Sequence, residues 1–189
     1  MKKKFGIIIY LLALSFGSFA KSECGIYVNV SDYQKNKLTN ESVCAKGNSI
    51  HIHDFFWNMP KITVIQDGKK YTYKKSDLYG FKDCKNDVYR FYNNTEYRIA
   101  EAGPIYIYVQ EKNIAQSKGY KVINAYYFST AADGEIIPLT RGNLKSVYKT
   151  NDKFRDLLDQ FFSANDVQVY DNQHNTFKVN YVYSKTIKN

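Results

Sequence analysis

The run His51-Ile52-His53-Asp54 comes nearest, in residue type and spacing, to metal chemistry. On a strand, residues i and i+2 point to the same side, so both imidazoles would stand on one face with Cα atoms ~6–7 Å apart. A zinc or copper site would then need a third ligand, for which Asp54 at a bend and His174 from the tail are the candidates. The plainer account makes His51 and His53 the polar side of a half-exposed strand, alternating with Ile50 and Ile52.

Cys24, Cys44 and Cys84 are the sulfur resource. In an oxidising compartment they imply one disulfide and one remaining thiol, and the spacing does not choose among the three pairings. Such a bridge is worth ~2–4 kcal/mol. No CxxC occurs, which argues against a redox motif or a zinc knuckle. Nucleophile elbows, HExxH, Walker loops and GxGxxG are also missing. A Cys–His pair built from Cys44 or Cys84 has no local mark of a nucleophile. The acidic pairs Asp83/Asp87 and Asp152/Asp156 read as solvated charge. No catalytic residue and no cofactor is expected.

Aromatic side chains are the larger reserve: 18 Tyr, 12 Phe and one Trp. Tyr89 and Phe91 share one strand face, Tyr106 and Tyr108 share another, and Trp57 sits in an aromatic corner stopped by Pro60. If one side of the sheet stays open, these rings form a ligand- or protein-binding platform. Cross-strand packing beneath lysine stems is the competing account.

The elements that must position these residues centre on Val88–Thr130, which reads as strands VYRFY, TEYRIA, IYIYVQ and YKVINAYYFS. Before it, Gly25–Val30 and Lys46–Asp54 are shorter strand candidates, and Ser31 can cap a turn of helix. Ile62–Tyr73 predicts a hairpin folded about Asp67-Gly68, pairing Val64 with Tyr71 and Ile62 with Tyr73. Lys74–Asn86 reads as a connection, Asn93-Asn94 as a turn, and Lys112–Gly119 as an exposed loop. Thr140 and Asn151 are N-caps for two helices within Leu139–Phe162, the second carrying the stripe Phe154, Leu157, Leu158, Phe161 and Phe162. The tail over 167–185 fits both periods, with helix slightly favoured.

The first twenty residues read as an address. Lys2, Lys3 and Lys4 precede the apolar run Phe5–Phe16, and Ser18-Phe19-Ala20 ends in a cleavage-type site. A mature chain beginning at Lys21, exported and secreted or periplasmic, is the expectation, with 21–189 as a single domain. No later stretch reaches the length of a membrane-spanning helix. The formal charge of +9 is spread among acidic residues without long basic blocks, which argues against nucleic acid as a partner.

The segments KSDLYGFKDC, VYRFY, YYFS and IPLTRGNLKSVY followed by DKFRDLLDQFF resemble a group of small exported proteins of Gram-negative bacteria, over most of residues 24–180. The resemblance implies an envelope or secreted setting and carries no activity and no site residue. The reading is an α+β fold: an antiparallel, tyrosine-rich sheet of hairpins with a C-terminal helical layer on one face. Its expected function is non-catalytic binding of a protein or glycan partner in the cell envelope through an aromatic sheet face. A metal-dependent or hydrolytic enzyme using His51 and His53 is the alternative from another class, and a structural subunit of a surface complex is the third.

Overall fold

In the computed structural model, which describes residues 23–44, 48–52, 59–117, 119–163 and 166–187, the alternating segments are strands and the late apolar stripe is helix. The chain begins with β1 (Glu23–Tyr27), α1 (Val30–Gln34), β2 (Thr39–Val43) and β3 (Ser49–Ile52). The hairpin β4 (Lys61–Gln66) and β5 (Lys69–Lys74) follows, then β6 (Gly80–Lys82), β7 (Val88–Tyr92), β8 (Thr95–Glu101), β9 (Tyr106–Gln116) and β10 (Gly119–Ser129). After β11 (Ile137–Pro138) come α2 (Arg141–Val147), α3 (Asp152–Phe161), β12 (Tyr170–Asp171), β13 (Thr176–Phe177) and α4 (Lys178–Ile187). Among the described residues no helix is long and apolar enough to cross a membrane.

Eight strands form one antiparallel sheet in the order β11-β10-β9-β8-β7-β6-β1-β2, and β3-β4-β5 form a second, smaller one. Directly opposed residues of an antiparallel ladder share a face. One such row crosses most of the large sheet: Ile26, Phe81, Tyr89, Arg98, Val109 and Tyr126. This face is covered at both ends. Towards β1, the buried Ile62 and Val64 of β4 pack on Ile26, Phe81 and Phe91. Towards β10, Phe154 and Leu158 of α3 with Val179 and Val182 of α4 pack on Ile107 and Phe128. The architecture is therefore α+β, with the C-terminal helices on one face of the sheet.

The local signals explain most of these elements. Asp67 and Gly68 both hold positive φ, 50° and 76°, the backbone that a two-residue hairpin turn demands, and Ile62–Tyr73 and Val64–Tyr71 pair as the alternation predicts. Asn93 and Asn94 do the same between β7 and β8. The Thr140 and Asn151 side chains accept from the N–H groups of Asn143 and Phe154, so both expected caps are in place.

Other expectations are corrected. Asn29, rather than Ser31, caps α1, because its side chain accepts from the Asp32 N–H, and the first strand ends at Tyr27 to make room for it. The Lys74–Asn86 connection contains a full sheet member, β6. There the Tyr89 carbonyl passes so close to Gly80 that an added Cβ would lie 1.9 Å from its oxygen, and only glycine fits. Phe161 leaves the apolar stripe and is 39% exposed, while Phe162 turns in as the helix ends. The tail is both forms in succession: the hairpin β12–β13 and then α4.

A bulge at Ala100 decides the sheet's relation to the helices. Ile99 pairs with Tyr108 and Glu101 with Ile107, so the extra residue turns Glu101 to the helical face although Ile99 lies on the other. There the Glu101 carboxylate accepts hydrogen bonds from Thr176 Oγ1 at 2.6 Å, the Phe177 N–H at 2.6 Å and Asn180 Nδ2 at 2.7 Å. It thereby caps α4 from a distant strand, where a negative charge suits the helix N-terminus.

Candidate functional site

Between the two covered ends of that face a cleft of about 380 Å³ remains, lined by Asp87, Tyr89, Glu96, Arg98, Val109 and Glu111 among others. Tyr89 is held upright by stacking on Phe81, with ring centroids 4.7 Å apart and planes 4° from parallel. Burial raises the Tyr89 phenol above its ordinary value and the carboxylates of Asp83 and Asp87 push the same way, against the opposing Arg98. Arg98 pairs with Asp87 at 3.5 Å, and Glu96 pairs with the buried Lys75 at 3.3 Å. The cleft thus offers fixed charges of both signs beside one aromatic edge. That suits hydrogen bonding to a hydroxyl-rich ligand, and no serine or cysteine nucleophile lines it beside a base.

The opposite face is not an open aromatic platform. Tyr108 is fully buried there, and its hydroxyl receives a hydrogen bond from Arg90 at 3.1 Å and meets Ser129 Oγ at 2.9 Å. Arg90 is only 4% exposed, and its guanidinium carbon lies 5.5–5.8 Å from the rings of Tyr79, Tyr92 and Tyr108. The rings and the Tyr108 hydroxyl hold this cation, and no ion pair joins it to a carboxylate among the described residues. Tyr79 stacks on Tyr33 of α1 and donates to the Ala132 carbonyl at 2.9 Å, which seals this end. Tyr106 is half-buried, as are Tyr97 and Tyr127, which meet edge to face at 5.0 Å.

These rings set a behaviour in alkali. Burial, reinforced by Tyr106, Tyr108 and Tyr27, pushes the Tyr33 phenol up from 10.0 to about 12. A raised native value means the folded state holds its proton longer than the unfolded chain does. The contribution is complete below pH 10.0 and disappears as pH climbs through about 12. Phenolate absorbance in the folded protein is expected to lag that of the denatured chain over this interval, with melting temperature falling across it. Coincident titration curves for the two states would refute the sealing.

Tyr89 and Phe91 are on the helical side of the sheet and Tyr106 and Tyr108 on the other, so the four rings do not make one surface. Phe91 is core, 7% exposed. Trp57, His53 and Asp54 lie outside the described residues. His51 is exposed, with its Nε2 2.9 Å from Ser49 Oγ, and His174 is engaged by Asp171 at 2.7 Å. Among the described residues, the one group of three His, Cys, Asp or Glu side chains close enough to share an ion is Cys24, Cys44 and Cys84. Of these, Cys44 and Cys84 form the disulfide and Cys24 is the buried thiol.

A further exposed feature joins the expected strand Tyr120–Ser129 to part of the stretch expected to be a loop, Lys112–Gly119. Lys112–Gln116 is strand: β9 and β10 pair continuously from Tyr106–Ser129 to Gln116–Gly119. Neighbouring strands stop early, β8 reaching only Val109 and β11 only Tyr127 and Phe128. Among the described residues, therefore, the outer halves stand free of the sheet as a two-stranded ribbon whose edges pair with no further strand. Tyr120 is 79% exposed, Val122 58% and Ile114 46%. Tyr120 and Val122 share one face with Ala115, and Ile114 lies on the other with Ile123. Tyr120 and Val122 lie in the expected strand YKVINAYYFS; the polar composition of Lys112–Gln116 hid its pairing partner.

Comparison with protein-family models, with curated proteins and with solved structures returns no match.

Proposed function

We propose that this chain is an exported, non-catalytic binding protein whose contact element is the β9–β10 ribbon, and that its ligand is a protein. The observation carrying this reading is the exposure of Tyr120, Val122 and Ile114 on a ribbon whose two edges are unpaired among the described residues. An isolated two-stranded ribbon is marginal in water, and apolar side chains on both its faces favour being covered. Free strand edges take up an added strand through main-chain hydrogen bonds, while alternate side chains select the sequence. Lys112 and Lys121 on the same ribbon disfavour pairing with a like, basic copy and favour an acidic partner. The Cys44–Cys84 bridge supports an oxidising compartment, in keeping with the signal-like first twenty residues.

The test places a photo-crosslinking residue at Tyr120 or Val122 in the producing cell, with the exposed Lys153 of α3 as control. A discrete protein adduct at the ribbon positions and none at the control is the expected result. Adducts equal at all three positions, or absent from the ribbon, would refute the reading. Mass measurement of the recovered chain tests export separately, with an N-terminus at Lys21 expected.

A second reading is favoured by the Tyr89 cleft: a glycan held by the Arg98–Asp87 pair and Glu111 against the ring edge. Tyr89→Ala would abolish glycan binding and leave the ribbon adduct intact.

A further inference from the structure

Three sulfurs meet where β1 begins. The Sγ atoms of Cys24, Cys44 and Cys84 all lie within 4.8 Å of one another. The sheet brings them together, because β1 lies between β2 and β6. Cys44 directly follows β2 and Cys84 stands two residues after β6, so their bridge closes across the N-terminal end of β1, which carries Cys24. Cys24 opposes Ser42, whose Oγ is 3.4 Å from its sulfur, and Cys44 is two residues further along the same strand direction. Cys24 and Cys44 are therefore diagonal neighbours on one face. A cavity of about 320 Å³ opens onto this cluster, with Cys24, Cys84, Asp83 and Lys85 in its lining.

We propose that Cys24 is an internal nucleophile for the Cys44–Cys84 bridge, and that Cys84 is a covalent modification site which this exchange delivers to the surface. The Cys24 thiol first loses its proton to solvent in the cavity, since the thiolate is the attacking species. Its sulfur attacks Cys44 Sγ; a Cys24–Cys44 bond forms as the Cys44–Cys84 bond breaks, and the electron pair leaves on Cys84 sulfur. One disulfide and one thiolate stand on each side of this step, so no oxidant or reductant is consumed. Cys84 is the better leaving group because it is the exposed member of the bridge, so water solvates its departing thiolate, while Cys44 is half-buried. The free thiol thus moves from a site 1% exposed to one open to solvent. There it can attack a disulfide-bearing partner, forming a mixed disulfide on Cys84 and releasing the partner's thiolate.

The experiment treats the folded mature protein with iodoacetamide in mildly alkaline buffer without reductant, then maps the adduct and the bridge by mass spectrometry of a non-reduced digest. An adduct on Cys84 together with a Cys24–Cys44 cross-linked peptide is expected. An adduct on Cys24 with the original bridge intact would overturn the proposal. So would no adduct over a time in which the unfolded chain reacts fully. Cys24→Ser is expected to lose the Cys84 adduct entirely, and its persistence would also refute the exchange. Should that variant fail to fold, Cys84→Ser serves: it is expected to oxidise to a Cys24–Cys44 bridge, and recovery of two free thiols would count against the proposal.

Discussion

Asn180→Leu is expected to lower the unfolding free energy by about 3–5 kcal/mol. Asn180 is 3% exposed at the start of α4, and its amide behaves as a missing strand partner for Ile105. Its Oδ1 accepts from the Ile105 N–H at 3.0 Å, and its Nδ2 donates to the Ile105 carbonyl at 2.8 Å and to Glu101 Oε1 at 2.7 Å. Leucine keeps the heavy-atom count and branching of asparagine while three groups inside the protein lose a partner. Each such loss costs ~1–3 kcal/mol, and the sum is less than additive because Glu101 retains Thr176 and the Phe177 N–H. Denaturant unfolding should show a lower midpoint at an unchanged slope. A loss below about 1 kcal/mol would mean that water replaces the amide and that the site is not sealed.

That lock could not be read from the sequence, and the reason is geometric. Periodicity fixes which residues of one segment share a face, and it did so for Ile62–Tyr73, for Ile105, Ile107 and Val109, and for the caps Thr140 and Asn151. It says nothing of how the faces of separate strands relate. Tyr89 and Tyr106 fell on opposite sides because Arg98 stands opposite both Tyr89 and Val109, a cross-strand register that no single segment's alternation reveals. Asn180 reads as a polar interruption of the tail until the bulge at Ala100 turns Glu101 towards it. Tyr108 illustrates the same limit from another side: its strand was evident, but its burial depends on Arg90 and Ser129 from the neighbouring ladders. The outer half of β9 was missed for a further reason. An exposed strand pair has no buried face to impose alternation, so its polar half looks like a loop.

Removing both bridging sulfurs, as Cys44→Ser with Cys84→Ser, is expected to cost up to about 4 kcal/mol, from the chain entropy of a loop closed at a separation of 40 residues. That loop contains β3, β4, β5 and β6, so the smaller sheet and its packing on Ile26 and Phe81 loosen first. The helical half rests on its own cluster around Phe154 and Phe128 and should hold longer. Hydrogen exchange would show this as lost protection in β4 and β5 with α3 and α4 largely retained. Single replacement of Cys84 discriminates further. If Cys24 takes over as the partner of Cys44, the new loop is about half as long, and the loop-length term falls by only ~0.6 kcal/mol. Cys84→Ser should then remain close to the wild type in stability while the double variant does not. Equal losses in the two variants would show that the bridge staples the sheet but that Cys24 never joins it.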